Sequence, residues 1–252
     1  METISVGLMG YGKAGQAVAQ VLGSDPRFDL RWVMRGHHPE SPQYVTGSNV
    51  PVVGQDQMPL ADWLDAHPVQ ALVDFSNAET VYFYGEELRR RRMMLVSAIS
   101  AYDPEHLAYL RSLGAQTRVL CSPNITVGIN FLIMAAKLLR NIAPFADVEI
   151  LEQHFREKPE VSGTARKIAE SLQVDGDRIT SLRLGGIVGH HEVIFGFPYQ
   201  TVRLIHDSIR REAFGTGAAF ALSQLAHAEP GFYTFEDLLM RSVREQLLAV
   251  PA

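Results

Sequence analysis

Two side chains suited to proton transfer, His154 and Lys158, lie just before a predicted helix start at Ser162-Gly-Thr164. Histidine changes its charge near neutral pH, and lysine can donate a proton while it attracts an anion. Ser162 is typical of a helix N-cap, and the free backbone N–H groups of a helix start bind carboxylate or phosphate. The segment is therefore predicted to act on an anionic substrate. Alternatively, His154 is a hydrogen-bonded histidine at a strand end and Lys158 is a surface lysine.

A glycine-rich turn near the start of the chain predicts a dinucleotide-binding unit. An apolar strand over 4–9 leads into this turn, and helical apolar spacing follows over 16–22. In such a unit the first glycine permits a tight turn, the second lets the backbone approach a pyrophosphate, and the third lets the helix pack on the strand. The alternative is a strand-to-helix turn without a ligand. The candidate cofactor-binding residues of the turn are Gly10, Tyr11, Gly12, Lys13, Ala14 and Gly15.

The end of the second predicted strand, 30–34, indicates which dinucleotide is bound. An NAD-selective protein usually carries Asp or Glu there to bind the ribose 2′-hydroxyl. No carboxylate stands in this segment, whereas Arg35, together with His37 or His38, suits a 2′-phosphate. NADPH is therefore the predicted cofactor, with NADH possible. The alternative is a solvated loop after a strand.

Strands alternate with helices in the first half of the chain. The strands are predicted at 71–75, 94–97 and 118–121, and the helices at 79–92 and 103–113. This alternation predicts an α/β fold with a Rossmann-type, doubly wound parallel sheet, whose ligands bind at the carboxyl ends of the strands. Any one of the segments after these strands could be only a turn. Their candidate cofactor contacts are Ser76, Ala98, Ile99, Ser100, Ser122, Asn124 and Ile125.

The pattern changes after a predicted helix over 128–141. Longer strands are predicted at 147–151, 181–188, 190–195 and 199–206, and helices at 208–226 and 234–248. These strands predict an inserted α+β domain built on a mixed or antiparallel sheet. Gly189-His-His-Glu192 is predicted to be a turn with structural or solvent-facing histidines, because a metal site there lacks a clear third ligand.

The composition is that of an ordinary soluble globular protein. The 252 residues are 46% hydrophobic, which suffices for one large or two modest domains. A net charge of −5 argues against nucleic acid or an anionic membrane as the main partner, and the run Arg89–Arg92 is interpreted as a solvated helix face. The single Cys121 fits a reducing compartment, and no segment has the length and apolarity of a membrane span. The cytoplasm is the expected location.

Several segments together resemble the dihydrodipicolinate reductase family over most of the chain. The matching segments include Asp74-Phe-Ser, Ser122-Pro-Asn-Ile-Thr-Val-Gly-Ile-Asn130, Glu152-x-His154, Lys158, Ser162-Gly-Thr-Ala165 and Arg211-x-x-Phe214. The resemblance implies NAD(P)H-dependent reduction of 4-hydroxy-tetrahydrodipicolinate to tetrahydrodipicolinate, in lysine and diaminopimelate biosynthesis. Hydride addition to such a ring leaves an electron-rich atom that takes up a proton from a positioned acid. The resemblance also implies a homotetramer.

The resemblance assigns roles to individual residues. It implies that His154 is a proton donor or acceptor, that Lys158 is a proton donor, and that Gly163 and Thr164 hold a substrate carboxylate. The cofactor is expected to contact the 10–15 turn, Arg35, the 98–100 and 122–125 loops, Arg211 and Phe214. The dinucleotide-binding domain is expected to comprise residues 1–125 and 211–252. The substrate-binding and oligomerisation domain is then inserted at 126–210.

The chain departs from the family at the expected substrate pocket. Phe155 stands where the family has a histidine that contacts substrate, and Ala98-Ile-Ser-Ala101 replaces Gly-Thr-Thr-Gly, which leaves Ser100 as the only hydroxyl. Specificity for a polar substrate depends on the pairing of buried polar groups. A diverged paralogue that reduces another cyclic imine or enamine acid is therefore a rival hypothesis. A third is a non-catalytic NADPH-binding regulator. The candidate substrate contacts are Phe155, Ser162, Gly163, Thr164 and Ser100.

Overall fold

The computed structural model describes residues 3–249. Their strands are β1 (Ile4–Met9), β2 (Phe28–Arg35), β3 (Gln43–Tyr44), β4 (Pro51–Gly54), β5 (Ala71–Asp74), β6 (Met94–Ser97), β7 (Arg118–Cys121), β8 (Asp147–His154), β9 (Ile179–Arg183), β10 (Gly189–Phe197), β11 (Gln200–Ser208) and β12 (Gly231–Tyr233). Their helices are α1 (Lys13–Ser24), α2 (Leu60–Ala66), α3 (Thr80–Arg91), α4 (Pro104–Gly114), α5 (Val127–Ile142), α6 (Gly163–Leu172), α7 (Glu212–Ala226) and α8 (Phe235–Ala249). The chain divides into two compact units, Met1–Thr126 with Arg211–Ala252, and Val127–Arg210.

The first unit is built on an eight-stranded sheet in the order β12-β7-β6-β5-β1-β2-β4-β3. All pairs are parallel except β3 with β4. Helices α2, α3 and α4 contribute to one core with Trp32, Leu72 and Leu95 of the sheet, while α1 and α7 pack against each other. The predicted doubly wound sheet is confirmed.

The second unit has a four-stranded mixed sheet in the order β11-β10-β8-β9. The β10 strand is antiparallel to both neighbours, and β8 is parallel to β9. Helices α5 and α6 share a core with Val148 and Ile150 of β8. Glu152 and His154 have the same parity on β8 and are also buried, so they lie at the polar end of the helix-covered face.

Several predicted boundaries are wrong. The segment between the two predicted C-terminal helices contains the unpredicted strand β12, three residues that are ordered by their pairing with β7. The predicted 181–188 strand ends at Arg183, since Gly185 has a φ of +48° in the turn that follows. Gly189–Glu192 is not a turn but the start of β10. The helix predicted from Ser208 begins at Glu212, because β11 continues to Ser208.

Within residues 3–249, no helix is both long and apolar enough to cross a membrane.

Candidate active site

Glu152 and His154 form a hydrogen-bonded pair at the end of β8. Nδ1 of His154 lies 2.5 Å from Oε2 of Glu152. The Glu152 side chain is fully buried, and His154 is 8% exposed. Residues two apart on a strand point to the same face, which brings the carboxylate to the imidazole. The sequence motif predicted Glu152 as a family match but not as a charged partner of His154.

Arg183 balances the charge of Glu152. Its Nη1 and Nη2 donate to the two carboxylate oxygens at 3.0 and 2.8 Å. Ser181 Oγ and the Ser162 N–H also donate to Oε1, at 2.7 and 3.1 Å. Burial acts to raise the pKa of Glu152, but the hydrogen bonds from Arg183, Ser181 and His154 outweigh it and bring that pKa to about 2. Glu152 is therefore a carboxylate at neutral pH.

The charge of Glu152 fixes the protonation pattern of His154. An ionised carboxylate only accepts hydrogen bonds, so Nδ1 of His154 carries a proton and donates it. Nε2 is then the nitrogen that can exchange a proton with a ligand. A side chain at Gly189 would crowd it, since a Cβ there would lie 3.2 Å from Nε2. The arrangement suits a general acid or base that Glu152 orients through Nδ1.

His191 and Ser162 connect the pair to the start of α6. Ser162 is the N-cap, and its Oγ accepts from the Ala165 N–H and lies 2.8 Å from Nε2 of His191. Burial, together with the nearby His154 and His206, lowers the pKa of His191 to about 3. This ring is therefore neutral near pH 7. The prediction of an N-cap at Ser162 is confirmed, whereas His191 was missed because it was assigned to a turn.

The remaining substrate candidates lie beside this start. A Cβ at Gly163 would meet nothing within 4 Å, so the first turn of α6 is open at that position. Lys158 is half-buried, its N–H donates to the Phe155 carbonyl at 3.1 Å, and its carbonyl accepts from Arg183. Phe155 is 41% exposed. Thr164 follows on the first helical turn. Arg183 thus links the Lys158 backbone to the Glu152 carboxylate that holds His154.

The glycine turn of the first unit fits a dinucleotide. Gly10 has a φ of +94°, and a Cβ there would lie 2.6 Å from the Phe75 carbonyl oxygen. A Cβ at Gly15 would lie 2.1 Å from the Gly10 carbonyl oxygen, so α1 packs closely on the turn. Gly12 caps α1, and a Cβ there would meet nothing within 4 Å. The fold thus requires Gly10 and Gly15. Gly12 leaves open space beside the N-terminus of α1, where a pyrophosphate can bind.

This turn gives a matched pair of variants. Gly10→Ala is expected to destabilise the protein by about 1–3 kcal/mol, because of its left-handed backbone and the clash with Phe75. Gly12→Ala should leave stability unchanged but weaken dinucleotide binding by roughly tenfold or more, since a methyl group would enter the pyrophosphate space. Urea unfolding and cofactor fluorescence titration measure the two effects. Unchanged affinity in Gly12→Ala would show that the dinucleotide does not approach this position.

Buried hydrogen bonds hold the loops after β5 and β6. Asp74 is fully buried and accepts from Ser76 N–H and Oγ at 2.9 and 2.5 Å and from Tyr84 OH at 2.8 Å. Burial raises the pKa of Asp74, although these hydrogen bonds oppose the shift. Tyr102 OH lies 2.9 Å from Ser97 Oγ and closes the loop between them. Neither tyrosine was predicted as a partner, because nothing in their spacing indicates a contact with a carboxylate.

The other cofactor candidates of the first unit occupy different environments. Ser100 is exposed and Ala98 half-buried, whereas the side chains of Ile99 and Ile125 are buried. Ser122 Oγ donates to the Asn124 carbonyl at 2.8 Å. Phe214 packs on Phe75 with ring centroids 6.3 Å apart, and Arg211 is exposed at the start of α7. A ligand would therefore meet the backbone at Ile99 and Ile125, and side chains at Ser100 and Arg211.

The sequence matches the family models of dihydrodipicolinate reductase, with the N-terminal model covering residues 4–125 and the C-terminal model residues 124–239. The chain belongs to the dihydrodipicolinate reductase family. It is 32% identical to a 4-hydroxy-tetrahydrodipicolinate reductase of Myxococcus xanthus, over 70% of this chain and 74% of that protein. It is 28% identical to one of Caldanaerobacter subterraneus, over 91% of this chain and 95% of that protein.

Solved structures agree on the fold. The structure of a dipicolinate-bound dihydrodipicolinate reductase from Paenisporosarcina superposes with a TM-score of 0.78, at 23% identity, over 92% of this chain and 97% of that chain. A diaminopimelate dehydrogenase of C. glutamicum superposes with a TM-score of 0.59 at 15% identity, over the whole of both chains.

Proposed function

We propose that this protein is an NAD(P)H-dependent 4-hydroxy-tetrahydrodipicolinate reductase that makes tetrahydrodipicolinate for diaminopimelate and lysine biosynthesis. The observation that carries the proposal is the Glu152–His154 pair beside the open start of α6, in a member of the dihydrodipicolinate reductase family. The pair can deliver a proton, and the helix start can bind an anionic group. Reduction of a cyclic imino acid requires both a proton donor and a binding site for the carboxylate.

Each residue of the proposed active site has its own role in the reaction. A bound nicotinamide cofactor supplies the hydride that adds to the unsaturated ring. His154, as an imidazolium held by Glu152, then gives a proton from Nε2 and returns to the neutral form with its proton on Nδ1. Lys158 is the second candidate proton donor and attracts the substrate anion. Gly163 and Thr164 bind a ring carboxylate with the first backbone N–H groups of α6.

The cofactor is expected to bind in the first unit, 1–125 with 211–252, and the substrate in the second, 126–210. The proposed cofactor contacts are the 10–15 turn, Arg35, Ser76, the 98–100 and 122–125 loops, Arg211 and Phe214. NADPH is the proposed preferred cofactor, because the guanidinium of Arg35 suits a 2′-phosphate. The cytoplasm is the proposed location, where the reduced cofactors and the intermediates of amino-acid biosynthesis are found.

A homotetramer is the proposed assembly. The face of the second sheet opposite α5 and α6 carries Leu182 and Ile205, which are 39% and 55% exposed. It also carries an ion pair between Arg203 and Glu192 at 2.6 Å. A sheet face of this kind gains from burial against a second copy. Light scattering of the full chain tests this, and a monomer at micromolar concentration would exclude it.

Growth of a bacterial strain that lacks its own 4-hydroxy-tetrahydrodipicolinate reductase tests the proposed pathway. Expression of this chain should restore growth without added diaminopimelate, and a His154→Ala version should not. Failure of the intact, soluble protein to restore growth would favour the rival hypothesis of a paralogue that reduces another cyclic imine. A protein that binds cofactor but oxidises it with no imino acid would instead be a regulator.

Phe155 gives a direct test of the substrate pocket. Phe155→His restores the histidine that the family carries, and the residue is exposed enough to be replaced without loss of core packing. If the pocket still binds a dipicolinate-type ring, we expect kcat/KM for that substrate to rise about tenfold, because one added hydrogen bond contributes roughly 0.5–1.5 kcal/mol. Phe155→Leu is the matched control. An equal or lower kcat/KM in the histidine variant would mean that the pocket serves a different ring.

A further inference from the structure

Ser162 links the start of α6 to the carboxylate that holds His154. Its backbone N–H donates to Oε1 of Glu152 at 3.1 Å. Its Oγ lies 2.8 Å from Nε2 of His191 and accepts from the Ala165 N–H. The residue is 3% exposed, so water has little access to these bonds. The position of the first turn of α6 relative to Glu152 therefore depends on Ser162.

His191 is buried on the same face of the second sheet as Glu152. The two residues are opposite each other in the pairing of β10 with β8, and residues directly opposite on antiparallel strands point to one face. His191 is 4% exposed. The rings of His191 and His154 are nearly perpendicular, with centroids 5.3 Å apart. His191 thus lies beside both the N-cap of α6 and the proposed proton donor.

The hydrogen bond between His191 and Ser162 does not require a charged ring. Burial, together with the nearby His154 and His206, lowers the pKa of His191 to about 3, so the ring is neutral near pH 7. A neutral imidazole has one donor and one acceptor nitrogen, and a hydroxyl group can donate or accept. One proton therefore lies between Oγ and Nε2, whichever atom donates it. The neutral ring also adds no second positive charge beside His154.

We propose that His191 is a positioning residue for the reduction, which acts through Ser162 to hold the first turn of α6 in place against the Glu152–His154 pair. An anion bound by the backbone N–H groups of that turn then lies at a fixed distance from Nε2 of His154. A displacement of about 1 Å can lower a rate about 100-fold. The inference rests on the proposed function and adds to it a residue that acts only through its neighbour.

Steady-state kinetics of His191→Leu, with NADPH and the product of dihydrodipicolinate synthase, test the inference. Leucine fills the buried space but cannot bond to Ser162, and we expect kcat to fall by at least about tenfold. The Kd of dipicolinate, an unreactive ring with two carboxylates, should change by less than about threefold, because the N–H groups of α6 remain. His191→Gln carries an amide that reaches Ser162 and should restore kcat to within about threefold of the unmodified protein.

A double-mutant cycle separates action through Ser162 from a general loss of packing. The variant with both His191→Leu and Ser162→Ala should be no slower than Ser162→Ala alone, because residues of one hydrogen-bonded network have non-additive effects. The matched control is His190→Gln. His190 lies on the opposite face of β10, with Nδ1 2.7 Å from Asp207, so this change should leave kcat within a factor of about two.

Three results would overturn the inference. Unchanged kcat in folded His191→Leu would remove the positioning role. A loss of kcat matched by an equal loss of dipicolinate affinity would assign His191 to substrate binding instead. Losses that multiply in the double variant would assign its effect to packing, since independent sites add in free energy.

A second pair of variants decides the matter if His191→Leu does not fold. The amide of His191→Gln replaces Nε2, whereas the shorter amide of His191→Asn replaces Nδ1 and does not reach Ser162. We expect the glutamine variant to be at least about tenfold faster than the asparagine variant, and equal rates would contradict the inference. An unmodified protein that reduces no imino acid would remove the proposed function and this inference together, whereas an active protein with unaffected variants would remove the inference alone.

Discussion

Replacing His154 with alanine is expected to lower turnover by at least about 100-fold, the usual scale for the loss of a general acid. Lys158→Ala should cause a loss of the same order, because it removes the second candidate donor and a charge that attracts the substrate. Cofactor binding should persist in both variants, since neither residue belongs to the unit that carries the glycine turn. Steady-state rates and NADPH titrations measure these effects.

Lys167→Ala is the control for the loss of a lysine. Lys167 lies on α6 and is exposed, so its removal should leave turnover within a factor of about two. Circular dichroism and urea unfolding confirm that each variant is folded before its rate is compared. Turnover close to that of the unmodified protein in both His154→Ala and Lys158→Ala would remove the proposed proton donors.

Glu152→Gln is expected to lower both turnover and stability. The amide keeps the shape of the carboxylate but no longer fixes the proton of His154 on Nδ1 or balances an imidazolium, and it leaves Arg183 without its counter-charge. We expect a loss of turnover of about 100-fold. Loss of one partner of a buried ion pair costs about 3–5 kcal/mol, and we expect a smaller loss here because Arg183 is partly exposed. Rates and urea unfolding at neutral pH measure the two effects.

The pH dependence of stability tests independently whether Glu152 is held in its charged form. The pKa of Glu152 is about 2 in the folded protein, below the value of about 4.3 for an unperturbed Glu. Its stabilisation is therefore fully present above the unfolded pKa and is lost as pH falls through the folded pKa. As the pH falls, Glu152→Gln should therefore lose less stability than the unmodified protein. Glu149→Gln, on the opposite face of β8, is the control.

An acid profile of unfolding that is identical in Glu152→Gln and the unmodified protein would show that the carboxylate is not held in its charged form. Unchanged turnover in the variant would show that His154 does not depend on it.

The parts of the fold that depend on local pattern were predictable. The strand-turn-helix order at the glycine turn and the alternation of apolar strands and helices gave the parallel sheet, because a buried parallel strand is apolar throughout. The short strands were not predictable. β3, β4 and β12 are two to four residues long and are ordered by their pairing with β4, β2 and β7. Their sequences carry no periodicity of their own.

The site was predictable only to the extent that its residues are close in sequence. His154, Lys158 and the start of α6 lie within one segment, so their proximity follows from chain connectivity. Arg183 and His191 reach the same place through the pairing of β8 with β9 and β10, and strand register cannot be derived from spacing alone.

The central claim is that the chain transfers hydride from a nicotinamide cofactor to the dihydrodipicolinate-type ring. The most direct test supplies the purified protein with freshly generated product of dihydrodipicolinate synthase, a panel of other cyclic imino acids, and NADPH that carries deuterium at the transferable position. We predict rapid cofactor oxidation with the synthase product and one deuterium in the tetrahydrodipicolinate detected by mass spectrometry. No cofactor oxidation with that substrate, together with deuterium transfer to another imine, would contradict the assignment. It would show that the protein reduces a different ring.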